Sequence, residues 1–314
     1  MSTTLIIMLA LVGIVLLTLL ITALYFYRLG ILRQSDKGVL AESSNLDMNQ
    51  LSGLPSVETL WVEAQPFEDI TMKSYDGLVL RGYYLSAEAL TTKTVILAHG
   101  YNGHAKDMAL LAQLYHETFG YNVLMPDNRG HGHSEGSYIG LGWHDRLDYV
   151  KWIDYVIQRI GPNSHIVLHG VSMGGATVLM TSGEPLPKQV KCVISDCAYT
   201  SATDILSYQL RRKFKLPAFP LLPLVSLICK LHTGYFFNEA SALKQVARTR
   251  LPILFIHGEE DVFVPTEMIH PLYNQSQGYK EKLLIANAGH SFAYKTAPDL
   301  YTRKIQKFLK RFMG

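Results

Sequence analysis

The sequence Gly-Val-Ser-Met-Gly at residues 170–174 constrains the fold of this chain more than any other feature. It follows an apolar run at 166–168 and precedes small residues at 175–177 that can open a helix. A serine between glycines at such a junction predicts a sharp strand-to-helix turn, because only glycine tolerates the crowding there. The turn lifts the serine hydroxyl clear of the backbone, and the helix points amide N–H groups at the reacting centre. We therefore predict that Ser172 is a nucleophile.

The partners that a nucleophilic serine needs follow later in the chain. The apolar run at 251–256 leads into a polar turn with carboxylates at 259–261, and the run at 282–285 leads to His290. In acyl transfer a histidine takes the proton from the serine, and a carboxylate holds that histidine in one tautomer. We assign these roles to His290 and Asp261. Asp261 stands directly before Val-x-Val-Pro, at the predicted tip of the turn, whereas the other two carboxylates are expected to be solvated loop charges.

A third strand end supports the same chemistry. The buried-strand candidate at 94–98 ends in His-Gly-Tyr-Asn-Gly at 99–103. An oxyanion hole takes one backbone N–H from the residue after the nucleophile and a second from the loop after the third strand. We predict Met173 and Tyr101 as these two donors.

On these residues the chain resembles the α/β-hydrolase superfamily, over about residues 67–312. The sequence at 127–134 is similar to the Asp-x-Arg-Gly-x-Gly-x-Ser loop of many esterases, lipases and peptidases of that superfamily. The segments at 142–148 and 239–243 look typical of bacterial serine hydrolases that carry a single N-terminal membrane anchor. The resemblance implies ester, thioester or amide hydrolysis, with the triad in the order Ser172, Asp261, His290.

The pattern of elements agrees with the α/β-hydrolase fold that the resemblance implies, because it predicts a mostly parallel central sheet with helices on both faces. In residues 68–74 and 78–85 apolar and polar side chains alternate with a period of two, as in an antiparallel hairpin. Strands and helices then alternate along the chain. Predicted strands follow at 95–98, 122–125, 166–169, 190–195, 253–256 and 282–285, and predicted helices lie at 108–118, 146–160, 268–274 and 298–312.

Residues 198–249 interrupt this alternation and predict a helical cap insertion. Three prolines between 217 and 223 break an apolar stretch that is too short to span a bilayer. The segment is either an ordinary packed helical excursion or a lid that forms the substrate pocket. In the second case Phe214, Phe219, Tyr235 and Phe236 are the predicted lining residues.

The N-terminal segment predicts a single transmembrane helix. Residues 5–27 contain no charge and end in three aromatic residues before Arg28, a length that spans about 30 Å of hydrocarbon. The start carries no basic side chain, unlike a signal peptide. We predict an anchor over residues 1–30, a polar tether over 31–57 and a catalytic domain over 58–314.

The orientation of the anchor rests on a few charges. Arg28, Arg33 and Lys37 follow the span and no basic residue precedes it. The positive-inside rule then predicts a single-pass protein of the cell membrane with its catalytic domain in the cytoplasm. An odd count of three cysteines agrees with a reducing compartment. An extracellular domain is the alternative.

Composition excludes several other functions. A net charge of +3 over 314 residues, without a basic stripe, argues against nucleic-acid binding. No carboxylate or cysteine stands at zinc-site spacing beside the histidines, so we expect no metal, and the chemistry needs no cofactor. The oligomeric state stays open.

The sequence thus predicts a membrane-anchored serine hydrolase that cleaves carboxylic esters of small or lipid-like substrates through an acyl-enzyme on Ser172. A serine peptidase or an acyltransferase on the same triad is an alternative. The rival class is a catalytically silent, membrane-anchored binding protein.

Overall fold

A computed structural model describes residues 2–33 and 57–314 of the chain. Its centre is an eight-stranded sheet in the order β1-β2-β4-β3-β5-β6-β7-β8. The pairs β1–β2 and β2–β4 are antiparallel, and all the others are parallel. The strands are β1 (Glu68–Lys73), β2 (Val79–Leu85), β3 (Lys93–Ala98), β4 (Asn122–Pro126), β5 (His165–Val171), β6 (Val190–Asp196), β7 (Ile253–Gly258) and β8 (Lys280–Ile285). The predicted fold class and all eight predicted strands are confirmed.

The inner strands are buried on both faces, which explains their continuous apolar sequences. Along β3, Val95 and Leu97 belong to one core cluster, and Ile96 and Ala98 belong to the other. This period of two sends alternate side chains to opposite faces of the sheet. Helices cover both faces, so each cluster is a closed core.

The helices follow the predicted alternation, with one difference. The predicted helix at 108–118 consists of a 3-10 turn (Ala105–Met108), α3 (Ala109–Gln113) and a π turn (Leu114–Thr118). The wider last turn presents Tyr115 to the core, where its hydroxyl lies 3.1 Å from Nδ1 of His169. The other helices of the main layer are α2 (Val57–Ala64), α4 (Asp145–Ile160), α5 (Met173–Ser182), α9 (Ile269–Gln275, after a 3-10 turn at Thr266–Met268), α10 (Ala293–Thr296) and α11 (Pro298–Phe312).

Three helices lie between β6 and β7, in the segment predicted as a cap. They are α6 (Ala202–Phe214), α7 (Leu221–Thr233) and α8 (Ala242–Val246). Helix α6 ends at Lys215, whose backbone is left-handed (φ 56°). Pro220 is the N-cap residue of α7. A backbone N–H at this position would have no partner within the helix, so the missing N–H of proline costs no hydrogen bond. Pro217 and Pro220 therefore lie between the two helices, whereas Pro223 lies in the first turn of α7.

The N-terminal helix α1 (Thr3–Gly30) is long and apolar enough to cross a membrane. Its first part projects from the domain, whereas Ala23, Tyr27 and Gly30 are buried against it. The chain stays attached after the helix, because the N–H of Ile139 donates to the carbonyl of Ile31 at 2.7 Å. Residues 31–33 of the predicted tether are thus part of the folded domain, and residues 34–56 lie outside the described residues.

Candidate active site

Ser172 occupies the sharp turn between β5 and α5. Its φ of 59° is unusual for a residue other than glycine, and such strain persists where the surroundings enforce it. The flanking glycines are required by close contacts: a Cβ on Gly170 would lie 2.1 Å from the carbonyl oxygen of Gly174, and one on Gly174 would lie 1.9 Å from that of Ala98. The motif therefore forms the predicted strand-to-helix turn.

The structure brings the three predicted triad residues together. His290 Nδ1 lies 2.7 Å from Oδ2 of Asp261, and His290 Nε2 lies 2.8 Å from Oγ of Ser172. A carboxylate only accepts hydrogen bonds, so Nδ1 carries the proton and Nε2 is free to accept the serine proton. Each residue follows a parallel strand (β5, β7 and β8), and the carboxyl ends of these strands share one edge of the sheet.

Asp261 is held as an ionised, fixed acceptor. Its Oδ1 accepts the amide N–H groups of Phe263 and Val264 at 2.9 and 2.8 Å. Its Oδ2 lies 3.2 Å from Nε2 of His257, which also donates to the carbonyl of Val264. Burial alone would raise the pKa of Asp261, but hydrogen bonds from His257 and His290 outweigh burial and lower it to about 2. The other two carboxylates of this turn, Glu259 and Glu260, are exposed.

The predicted oxyanion loop faces the serine. A Cβ on Gly100 would lie 3.6 Å from Cβ of Ser172, and Tyr101 and Met173 line the same cavity as Ser172. The loop is fixed from several sides. His99 Nδ1 lies 2.8 Å from the carbonyl oxygen of Gly100, and His131 Nε2 lies 2.7 Å from that of Tyr101. The Tyr101 hydroxyl donates to the carbonyl of Gly30 at 2.7 Å.

The Asp-x-Arg-Gly-x-Gly-x-Ser segment braces this end of the sheet. Arg129 is fully buried and makes a two-pronged bond to Asp148, at 2.7 and 2.8 Å, and a second one to Asp76. Burial alone would lower the pKa of Arg129, but these hydrogen bonds raise it, so the guanidinium stays charged. Asp127 accepts the N–H of Ala105 at 2.7 Å. The sequence analysis did not identify Asp76 and Asp148 as partners, because neither lies near Arg129 along the chain.

A largely apolar cavity opens at Ser172. The space free of protein atoms is about 900 Å³, part of which is open to solvent, and a water-sized sphere can move its centre within about 90 Å³ of it. The polar side chains among its lining residues, the two tyrosines aside, are Ser172 and Gln209, whose Nε2 donates to the carbonyl of Phe263. The cavity is lined by residues of α1, the Tyr101 loop, α6, α7 and the turn after Asp261: Phe26, Leu29, Gly30, Ile31, Tyr101, Leu141, Ser172, Met173, Tyr199, Ile205, Leu206, Gln209, Leu210, Phe214, Leu221, Leu222, Val225, Phe237, Phe263 and Val264.

Only one of the four aromatic residues predicted to line the pocket lies on this cavity. Phe214 lies on the cavity, whereas Phe219 and Phe236 line a separate groove beside α7. Tyr235 is fully buried and donates to the carbonyl of Gly140. In their place Phe237 faces the cavity, because Oγ of a serine on α7 accepts its backbone N–H and turns this segment inward. The pocket prediction is corrected accordingly.

The contribution of α1 to the cavity could not be predicted from the sequence. Residues 26 and 29–31 of this chain line it, although the pattern assigned the helix to the membrane alone. A helix that is apolar on every face gives no hydropathy signal for the side that packs on protein.

One group of potential metal ligands occurs within residues 2–33 and 57–314. Cys197, Asp261 and His290 offer ligand atoms within 4.8 Å of one another. Both ring nitrogens of His290 are already hydrogen-bonded to Asp261 and Ser172. The His290 nitrogens are therefore already used in hydrogen bonds within the chain, and this arrangement can pass a proton between Ser172 and His290.

Comparison with known proteins gives the family. A family model described as alpha/beta hydrolase fold matches residues 93–221. The uncharacterized protein YqkD of Bacillus subtilis (strain 168) is 30% identical over 233 residues, which cover 74% of this chain and 76% of that protein. Thiohydrolase aneE of Aspergillus aculeatus is 27% identical over 239 residues, or 68% and 73% of the two chains. The structure of the Pyrococcus furiosus esterase Pf2001 aligns with a TM-score of 0.65 at 24% identity, over 82% of this chain and 94% of that one.

The chain belongs to the α/β-hydrolase superfamily. The sheet order, the antiparallel first strands and the serine turn after β5 define this class, and the family match and YqkD agree with it. The fold and the family match support a hydrolase. The likeness to the Pyrococcus esterase concerns the fold.

Proposed function

We propose that this protein is a membrane-anchored serine hydrolase that cleaves carboxylic esters through an acyl-enzyme on Ser172. The observation that carries the proposal is the unbroken hydrogen-bond chain from Ser172 through His290 to Asp261. A silent binding protein has no need of this aligned chain at the mouth of an apolar cavity.

The reaction follows from the proton positions. Ser172 Oγ attacks the ester carbonyl while its proton passes to His290 Nε2, and Asp261 stabilises the resulting imidazolium. The N–H groups of Met173 and Tyr101 stabilise the oxyanion. His290 then returns the proton to the departing alcohol, which leaves an ester on Ser172. A water molecule, deprotonated by His290, hydrolyses this ester to the carboxylic acid and restores the serine.

The anchor and the cap belong to the same proposal. Helix α1 spans the membrane, and the packing of its last turns against the domain favours a retained helix over a cleaved signal sequence. The basic residues Arg28 and Arg33 at its end favour a cytoplasmic domain. Residues 198–249 act as the cap, because α6 and α7 both line the cavity at Ser172. Protease protection in intact cells tests the orientation, and cleavage of the domain from outside would refute it.

The test of the activity uses the full-length protein in detergent, since residues of α1 line the cavity. Hydrolysis of p-nitrophenyl esters of graded chain length is measured for the parent and for Ser172→Ala. We expect turnover in the parent and a residual rate in the variant that is lower by a factor of at least about 10³. Equal rates in the two proteins would refute esterase action at Ser172.

A further inference from the structure

The last two turns of α1 are packed into the catalytic domain. Residues 3–22 are exposed except for two half-buried positions, whereas Ala23, Tyr27 and the three residues 29–31 are buried. This face packs along α7, and the ring of Tyr27 lies 5.2 Å from that of His232 at the end of α7. A helix that served only as a tether would need no such contact.

The packed part of α1 is also a wall of the cavity that holds Ser172. Phe26, Leu29 and Ile31 line this cavity. The ring of Phe26 meets that of Phe214, at the end of α6, edge to face at 4.9 Å. The helix end is joined to the proposed oxyanion loop through the hydrogen bond from Tyr101 to the carbonyl of Gly30. One end of α1 therefore contacts both the apolar pocket and the reacting centre.

The depth of this wall relative to a bilayer follows from the helix length. The exposed stretch of 20 residues, 3–22, rises about 30 Å, which matches the hydrocarbon core. The cavity wall begins one turn further on, at the membrane surface. Helix α7, which packs on α1, also exposes Leu227 and Leu231 (44% and 76%), and Phe219 just before it is 78% exposed. Exposed apolar side chains of this kind mark surfaces that contact a membrane or another protein.

We propose that the anchor helix forms part of the acyl-binding wall, and that the substrates are long-chain acyl esters that reside in the bilayer. The acyl chain lies against Phe26 and Leu29, and the ester carbonyl lies at Ser172. A lining without charged groups suits an alkyl chain, because each methylene removed from water there contributes favourably to binding. This inference rests on the proposed esterase function and adds its substrate class.

The test compares Leu29 with Leu24, a leucine of the same helix that is 46% exposed and faces away from the cavity lining. Each is changed to Phe and to Ala in the full-length protein in phosphatidylcholine vesicles. The measurement is the ratio of kcat/KM for p-nitrophenyl dodecanoate to that for p-nitrophenyl butyrate. Each methylene that loses its contact costs roughly fourfold in binding, so a phenylalanine that displaces two methylenes lowers the ratio by about an order of magnitude.

The two Leu29 variants give opposite shifts. Leu29→Phe lowers the ratio, whereas Leu29→Ala opens space for the longer chain and raises it. A folding defect would not produce opposite shifts, and both Leu24 variants should keep the parent ratio. Unchanged ratios in both Leu29 variants, or equal shifts in the Leu24 variants, would overturn the inference.

A binding measurement separates this inference from the proposed activity. Dansylundecanoic acid is titrated into Ser172→Ala, with and without Leu29→Phe, and its fluorescence is followed. We expect saturable binding that weakens by about tenfold with Leu29→Phe and is unchanged with Leu24→Phe. Absence of ester turnover together with this binding pattern would refute the activity alone. Turnover by the parent without any Leu29 effect on binding would refute the acyl wall alone.

Discussion

Changing Asp261 to asparagine reverses the proton position on His290, and the structure shows why. Oδ1 of Asp261 accepts two backbone N–H groups, from Phe263 and Val264. In Asp261→Asn we expect the amide oxygen to keep this position, because an NH₂ group there would face two backbone donors. The His257 N–H that faces the other position also donates to the carbonyl of Val264 and can keep that bond. The NH₂ then occupies the position of Oδ2 and donates to His290 Nδ1. The neutral imidazole consequently carries its proton on Nε2 and cannot accept the proton of Ser172.

The expected loss of turnover in Asp261→Asn follows from the tautomer of His290, whose Nε2 is no longer free to act as the base. Removing the general base in this way, with the geometry otherwise intact, lowers turnover by roughly 10⁴ in serine proteases. This factor corresponds to about 5 kcal/mol of activation free energy. The variant has the shape of the parent, so KM should change little. The loss should therefore appear in kcat.

The assay measures kcat and KM for p-nitrophenyl butyrate with the full-length protein in detergent. The matched control is Glu259→Gln, the same change of carboxylate to amide at an exposed position of the same turn. Circular dichroism confirms that both variants are folded. An Asp261→Asn protein that kept more than about a tenth of the parent kcat would refute the assigned role, as would an equal loss in Glu259→Gln.

Three further results are expected. Burial would raise the pKa of Asp261, but bonds from two histidines lower it from 3.8 to about 2. The ionised carboxylate thus adds about 2 kcal/mol to the unfolding free energy above about pH 4. This contribution is lost as the pH falls through about 2, so urea titrations should show the stability gap between the parent and Asp261→Asn shrinking over this range; a constant gap would contradict it. Tyr101→Phe removes the hydrogen bond to the carbonyl of Gly30. A loss of roughly 1 kcal/mol of transition-state stabilisation should lower kcat by about fivefold. An unchanged kcat would show that this hydrogen bond does not position the oxyanion loop. Gly174→Ala places a Cβ 1.9 Å from the carbonyl oxygen of Ala98. We expect this variant not to fold, which circular dichroism would show, and a folded, active variant would refute the requirement for glycine there.

Much of the fold could be predicted because the inner strands are buried on both faces. Such strands appear in the sequence as continuous apolar runs, and polar residues after them mark the edge of the sheet where Ser172, Asp261 and His290 meet. The turn at Ser172 could also be predicted from the sequence. Its two flanking glycines are required because a Cβ at either position would lie 2.1 Å or less from a carbonyl oxygen. Asp261 could be selected among three neighbouring carboxylates from its position before the next helix.

The pocket was harder to predict, because its lining depends on side-chain directions that no sequence period reveals. Phe236 and Phe237 are neighbours, but only Phe237 reaches the cavity, whereas both rings line the groove beside α7. The Phe237 N–H donates to a side chain eleven residues earlier, a contact between distant residues that the sequence pattern does not show. The packed face of α1 was hidden for a different reason: this helix is apolar all round, so Phe26 and Leu29 look like their exposed neighbours in the sequence.

The central claim is that Ser172 carries the acyl group during turnover. Rapid mixing of the full-length protein with p-nitrophenyl butyrate, followed by acid quenching and peptide mass spectrometry, tests it directly. The account predicts a burst of about one p-nitrophenol per chain and a butyryl group on the peptide that contains Ser172, both absent in Ser172→Ala. Steady hydrolysis by the parent and by Ser172→Ala at equal rates, with no burst and no acylated peptide, would contradict it.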